Sequence, residues 1–216
     1  MVERMFDIGD VVGERLPEGL DSMRPGSGLA AALEGVDVSR LSGYDRIVAL
    51  RAHQRLVSHY QARMCQDMEA VVEVLDDGNS MEAAISGAAE IRVALRLTRR
   101  AADSELSMAL DLRRRLPVVW TGLLDGALDG RRARCIVHQT AHLDEAVARD
   151  VVAGVIDEAP GLTTGQLIAR LRGMCIEVAP DGGLSSSTGL DHRLGPDRLD
   201  GVTEPGQSVA AGDQHV

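Results

Sequence analysis

The segment from Glu90 to Leu143 most constrains the fold, because apolar residues at helical spacing alternate there with residues that start and stop helices. Thr98 and Asp129 are residue types preferred at helix N-caps. Pro117 ends one helix and suits the first turn of the next. No run shows the two-residue alternation of a strand. The segment therefore predicts short helices joined by short connections.

The longest predicted helix starts at Ser42, where Asp45 completes a capping-box pattern, and runs to about Asp76. At 1.5 Å per residue it spans about 50 Å. Aromatic residues make up only 2% of the chain, so the core must be aliphatic, which favours helix packing. We predict an all-α multi-helix bundle, with Ser80 as a second N-cap. The apolar residues of the long helix are expected on one stripe: Tyr44, Ile47, Val48, Leu56, Val57, Tyr60, Met64, Met68, Val71, Val72 and Leu75.

The pattern of apolar residues and helix breakers divides the chain into three regions. Residues 1–41 form an N-terminal arm with a short helix near Leu29–Leu33, and residues 42–179 form the helical domain. Residues 180–216 have no apolar period and are dense in Gly, Ser, Pro and Asp. We expect this C-terminal tail to be disordered, because it cannot bury enough apolar surface to offset its ordering entropy.

Charge is distributed unevenly. The net charge of −10 argues against a protein that is coated uniformly for nucleic acid. Residues 90–135, however, contain ten arginines and six acids, so their local net charge is +4. The chain contains no lysine, which favours a GC-rich genome, so arginine richness is partly a codon effect.

We predict a cytoplasmic protein with no membrane association, because the three cysteines are widely spaced and the chain has no long apolar run.

Glu90–Leu106 fits a helix-turn-helix outline, with its turn at Arg96–Thr98. The second helix of such a unit lies in the major groove of DNA, which makes Arg96, Arg99 and Arg100 candidate nucleic-acid contacts. An ordinary packed helical hairpin shows the same spacing and is the alternative.

Arg131, Arg132 and Arg134 form a further candidate, because cations at the start of a helix oppose its dipole and an anion would relieve this. Pairing with Asp125, Asp129 or another acid is the alternative. The arginines of Arg113–Arg115 complement the end of their helix and need no ligand.

Cys135, His138 and His142 share one stripe of the helix that Asp129 starts. A metal site would need a further ligand from elsewhere, so we expect buried or half-buried histidines and no metal. No catalytic residues and no cofactor motif are recognisable.

The chain resembles the actinobacterial family called domain of unknown function 222, known in mycobacteria as the 13E12 repeat family, from about Leu41 to Pro180. The residues that carry the resemblance are Leu41–Asp45, His59–Arg63, Ala94-Leu95 with Thr98, Ala109–Leu116 with the Arg115–Pro117 motif, Gly126, Arg132–Cys135 and Thr140–Leu143.

This resemblance implies a helical domain that, in many members, precedes a C-terminal HNH endonuclease module. That module needs a metal-bound histidine pair and an Asn, whereas the only Asn here is Asn79. Past Asp181 we expect a truncated or frame-shifted end, and no nuclease activity.

The preferred hypothesis is a non-enzymatic helical domain that binds nucleic acid. The alternatives are a protein-interaction or self-association domain that uses the Ser42–Asp76 helix, and a remnant of a disrupted nuclease gene.

Overall fold

A computed structural model describes residues 15–178, and every regular element in that range is helical. This confirms the all-α prediction. Short 3-10 turns lie at Val38–Arg40 and Ala159–Gly161, and a π-helical turn lies at Asp111–Arg115. The predicted disorder of residues 180–216 falls outside the described residues, as does the start of the arm. The α-helices are α1 (Ser27–Glu34), α2 (Gly43–Leu75), α3 (Ser80–Leu95), α4 (Arg99–Leu110), α5 (Pro117–Leu124), α6 (Gly130–Thr140), α7 (Glu145–Ala153) and α8 (Thr164–Val178).

Side-chain caps start the helices where the sequence predicted them. Ser42, Thr98 and Asp129 each accept a hydrogen bond from a backbone N–H in the first turn of the following helix. The prediction for Ser80 is wrong by one residue, because the side chain of Asn79 caps α3 and Ser80 is its first residue. Within the described range, no helix is both long and apolar enough to cross a membrane.

The core consists of three clusters that meet along α2. The largest joins the π-helical turn to α5–α8 and includes the fully buried Leu112, Leu116, Ile136, Leu167 and Leu171. A second packs the arm and α1 on the N-terminal half of α2, through Leu20, Leu29, Leu33, Val48 and Ala52. The third packs the C-terminal half of α2 on α3 and α4, through Met68, Val72, Ala83, Ile91 and Leu106.

The single apolar stripe predicted for α2 is wrong. Val48, Leu56 and Met68 are buried, but Val57 and Tyr60 are exposed. Helical spacing identifies apolar positions but does not say which of them a neighbouring element covers. The long helix therefore carries a buried face and a second apolar face that the described residues leave uncovered.

Gly87 sets how closely α3 approaches α2. A Cβ atom at this position would lie 2.7 Å from Cγ2 of Val72, closer than real Cβ contacts. The glycine that weakens α3 as an isolated helix thus permits close packing on the long helix. This packing fixes the position of the turn between α3 and α4.

Candidate nucleic-acid interface

The turn between α3 and α4 is a Schellman motif in which an arginine occupies the position that usually holds glycine. Arg96 has a left-handed backbone with φ of 54°. The Leu97 N–H donates to the carbonyl of Arg92 at 3.0 Å, and the Arg96 N–H donates to that of Val93 at 3.4 Å. Thr98 Oγ1 then accepts from the N–H of Ala101 at 3.2 Å. The helix, turn and second helix predicted for this segment are all present.

Four exposed arginines surround this turn, and we call them the arginine tip: Arg92, Arg96, Arg99 and Arg100. Arg99 has one ionic contact, to Asp103 at 3.9 Å, with the two side chains 85% and 54% exposed. A pair this exposed contributes little. The described residues provide no side-chain partner for the other three guanidinium groups, and residues 91–102 contain no acid. The tip therefore carries locally uncompensated positive charge.

The α6 arginines have different surroundings. Arg132 is largely buried, donates to the carbonyls of Ala159 at 3.1 Å and Leu162 at 2.6 Å, and contacts Asp129. Its guanidinium group bonds to the 3-10 turn before α8. The contact with Asp129 agrees with the alternative prediction that these arginines pair with acids and not with an external anion. Arg134 lies 3.4 Å from Glu105 of α4, and both side chains are about half exposed.

Arg131 is exposed, without an ionic partner in the described part of the chain. The six predicted contact residues thus lie in the α3–α4 turn, at the start of α4 and on α6. Arg96, Arg99, Arg100 and Arg131 have guanidinium groups that are largely free for a ligand.

A buried ion cluster joins α2 to the π-helical turn, and the sequence interpretation missed it. Glu69 is 8% exposed and accepts hydrogen bonds from Nε of Arg113 at 2.7 Å and Nε of Arg114 at 3.0 Å. The Arg113 guanidinium lies 4.2 Å from the ring centroid of Trp120, whose Nε1 donates to the carbonyl of Ala62 at 2.8 Å. Burial alone raises the pKa of Glu69, but the two arginines outweigh it and hold the pKa below 4.5.

Two further arginines satisfy backbone carbonyls at helix ends. Arg115 Nη2 donates to the carbonyls of Leu143, at 2.9 Å, and Thr140. Arg149 donates to the carbonyls of Arg114, at 2.9 Å, and Arg115, at 3.0 Å, where the π-helical turn ends. Both guanidinium groups are thus held by carbonyls of other segments, whereas the prediction for residues 113–115 rested on the dipole of their own helix.

His138 of α6 and His142, in the turn after α6, are both exposed, so the expectation that they are buried or half-buried is wrong. His138 follows Arg131 and Arg134 along α6, whereas the helix ends at Thr140, before His142. In residues 15–178, no group of three or more His, Cys, Asp or Glu side chains is arranged to hold a metal ion.

Burial, reinforced by the charge of Glu105, raises the pKa of the Cys65 thiol to about 11.

These features define an all-helical domain with an exposed arginine tip and a buried Glu–Arg cluster. The chain belongs to the family described as Domain of unknown function (DUF222), which it matches over residues 49–215. The match continues past Pro180, so the expectation that the resemblance ends there is wrong. No curated protein and no solved structure matches the chain.

Proposed function

We propose that this domain binds the phosphate backbone of duplex DNA through the arginine tip and works without catalysing a reaction. The observation that carries the proposal is the set of four exposed arginines at one ordered turn, where Asp103 is the only acid of residues 15–178 in ionic contact with them. Phosphate contacts by Arg account for most non-specific affinity for DNA.

Duplex DNA is favoured over single strands because of where the aromatic residues lie. Proteins that bind single strands stack bases on aromatic side chains. No aromatic residue occurs between Tyr60 and Trp120, so the tip offers no stacking surface. Binding by charge alone suits the regular phosphate rows of a duplex.

The acids of α4 limit how the helix can dock. Asp103 lies one turn after Arg99 and is 54% exposed. A helix lying fully in the major groove would bring this carboxylate near phosphates, at an electrostatic cost. Contact through the end of the hairpin keeps Arg96, Arg99 and Arg100 on the backbone and leaves Asp103 outside. Because these contacts reach the phosphate backbone and not the bases, we expect the domain to bind DNA weakly and without sequence preference.

Fluorescence anisotropy of a labelled 20-base-pair duplex tests this proposal. The logarithm of affinity should fall with the logarithm of salt concentration with a slope of about −3 to −4, since the slope is about −0.9 per phosphate neutralised. The double variant R99Q/R100Q should bind about tenfold more weakly at low salt. The control variant R40Q/R51Q removes the same charge from exposed arginines elsewhere and should bind like the wild type.

Two outcomes would contradict the proposal. One is the absence of any anisotropy change at 50 mM salt and about 100 µM protein. The other is an equal loss of affinity in the control variant, which would mean that net charge alone decides binding.

The non-enzymatic part of the proposal is supported by the state of the half-buried Cys65 and the buried Glu69. The raised pKa of Cys65 keeps its thiol protonated near neutral pH, where a thiol is a poor nucleophile. The charge of Glu69 is already neutralised by two arginines. Supercoiled plasmid incubated with the protein and Mg²⁺ or Mn²⁺ should stay intact. Cleavage that disappears in the variant H138A/H142A would show a nuclease instead.

A further inference from the structure

The uncovered face of α2 has the spacing of a coiled-coil seam. Leu50, Val57, Met64 and Val71 recur every seven residues, and a second series lies three residues after each of them: His53, Tyr60, Asp67 and Val74. Alternating steps of three and four residues keep one narrow stripe facing a partner helix. We call these eight positions the outer seam. From residue 50 to residue 74 it extends about 36 Å.

Most of the outer seam lies open in the described structure. The exposed fractions are 64% for Leu50, 50% for Val57, 49% for Tyr60, 47% for Met64 and 86% for Val74. Single exposed apolar residues are ordinary on a protein surface, but a contiguous row at seam spacing marks an interaction surface. The face that α2 turns to the core is a different one, formed by residues such as Ala52, Ala62 and Val72.

The charges of α2 are segregated along its length. From Arg46 to Arg63 the helix contains basic residues and no acid, and from Met64 to Leu75 it contains acids and no basic residue. This order opposes the helix dipole, which favours acids at the start and bases at the end. Glu69 is already bound by two arginines, and Arg46 and Arg55 donate to backbone carbonyls, so the exposed charges open to a partner are Arg51 and Arg63 in the basic half and Asp67 and Glu73 in the acidic half. An antiparallel second helix of the same sequence would place these two halves side by side. A parallel copy would place like charges together.

The two polar seam positions support the same orientation. His53 and Asp67 each lie seven residues from Tyr60, on opposite sides. In an antiparallel pair centred near Tyr60, His53 of each copy comes beside Asp67 of the other. The Nδ1–H group of His53 donates to the carbonyl of Ala49 at 2.9 Å, and Nε2 can donate to a carboxylate in such a contact when the ring carries both protons.

We propose that two copies of this chain associate through an antiparallel pairing of their outer seams. The apolar seam residues supply the affinity, and the His53–Asp67 contacts set the orientation. This inference does not depend on DNA binding, because the seam and the arginine tip share no residue.

Sedimentation velocity of the full chain between 5 and 100 µM tests the proposal. The wild type should show a reversible monomer–dimer equilibrium, and V57E should be monomeric. The matched control is I85E, which makes the same kind of change at an exposed position of α3 (63% exposed) and should leave the dimer intact. Circular dichroism checks that both variants remain folded.

Charge reversal tests the orientation. H53E and D67R should each weaken the dimer by roughly tenfold, because H53E places two pairs of like charges in the contact and D67R removes both carboxylate acceptors. The double variant H53E/D67R should regain wild-type affinity, since both contacts are then between opposite charges. Failure of the double variant to recover would overturn the antiparallel arrangement.

Two results would overturn self-association through this seam. The first is a wild type that stays monomeric at 100 µM, as expected if residues 1–14 or a different protein covers the seam. The second is dissociation of the dimer by I85E as readily as by V57E.

Discussion

The change Glu69→Gln isolates the contribution of the buried ion cluster. Gln keeps the size of the side chain and one carbonyl oxygen, but it loses the charge that two arginines share. Hydrogen bonds to a charged group contribute about 1.5–3 kcal/mol each, and those to neutral groups about 1 kcal/mol. The Arg114 contact needs a discount, because its side chain is 46% exposed. We therefore expect a loss of about 2 kcal/mol in the free energy of unfolding, or about 4–8 °C in Tm.

Chemical denaturation followed by circular dichroism measures this loss. Trp120 is the only tryptophan and stacks on Arg113, so its fluorescence reports on the same cluster. The control is Glu73→Gln, one turn along α2, where the carboxylate is exposed. A surface change of this kind should alter stability by less than about 0.5 kcal/mol. Equal stabilities for the two variants would refute the argument that the cluster holds α2 to the π-helical turn.

The stabilisation of the fold by Glu69 should also depend on pH and should decrease as the pH falls. The pKa of Glu69 is lower in the folded chain than its ordinary value of 4.5. The stabilisation is therefore complete above pH 4.5 and is lost as the pH falls through the folded-state pKa. The difference between wild type and Glu69→Gln should shrink across that interval. A difference that stays constant from pH 7 to pH 3 would mean that ionisation of Glu69 does not contribute.

Two other predictions concern the α3–α4 turn and the half-buried thiol of Cys65. Arg96→Gly should raise stability by about 0.5–1 kcal/mol, because it removes left-handed strain, whereas Arg92→Gly, inside α3, should lower it by about 1 kcal/mol. Thermal melts would show the opposite signs, and equal signs would contradict the reading of the turn. With its pKa raised to about 11, Cys65 should react with iodoacetamide at pH 8 about 100-fold more slowly than a small free thiol. Peptide mapping by mass spectrometry after timed labelling measures this, and equal rates would contradict it.

The helix starts were predictable from sequence because capping is local chemistry. Ser42, Thr98 and Asp129 bond to backbone N–H groups two or three residues away, so the residue type and its neighbours suffice. Pro117 likewise acts on its own helix, as the first residue of α5. The all-α class follows from these markers and from helical apolar spacing, both of which are visible in the sequence.

The roles of the arginines were not predictable in the same way, because their partners are distant in sequence. Arg113 reaches a carboxylate 44 residues earlier, and Arg132 reaches a carbonyl 30 residues later. The one available signal was Glu69 itself, an acid between Met68 and Val72 on the buried face of α2. A buried acid requires a partner, but the sequence does not say which arginine supplies it.

The two proposed surfaces lie on different elements, and this makes them separable and mutually informative. Changes at the outer seam, such as V57E, leave the guanidinium groups of the tip in place, and R99Q/R100Q leaves the seam in place. A dimer would carry two arginine tips, so a long duplex that reaches both would be held more tightly than either tip alone could hold it. Loss of the dimer should then weaken binding to long duplexes more than binding to short ones. Loss of the dimer should leave the affinity for short duplexes unchanged, whereas loss of the tip should weaken it, which separates a failure of self-association from a failure of DNA binding.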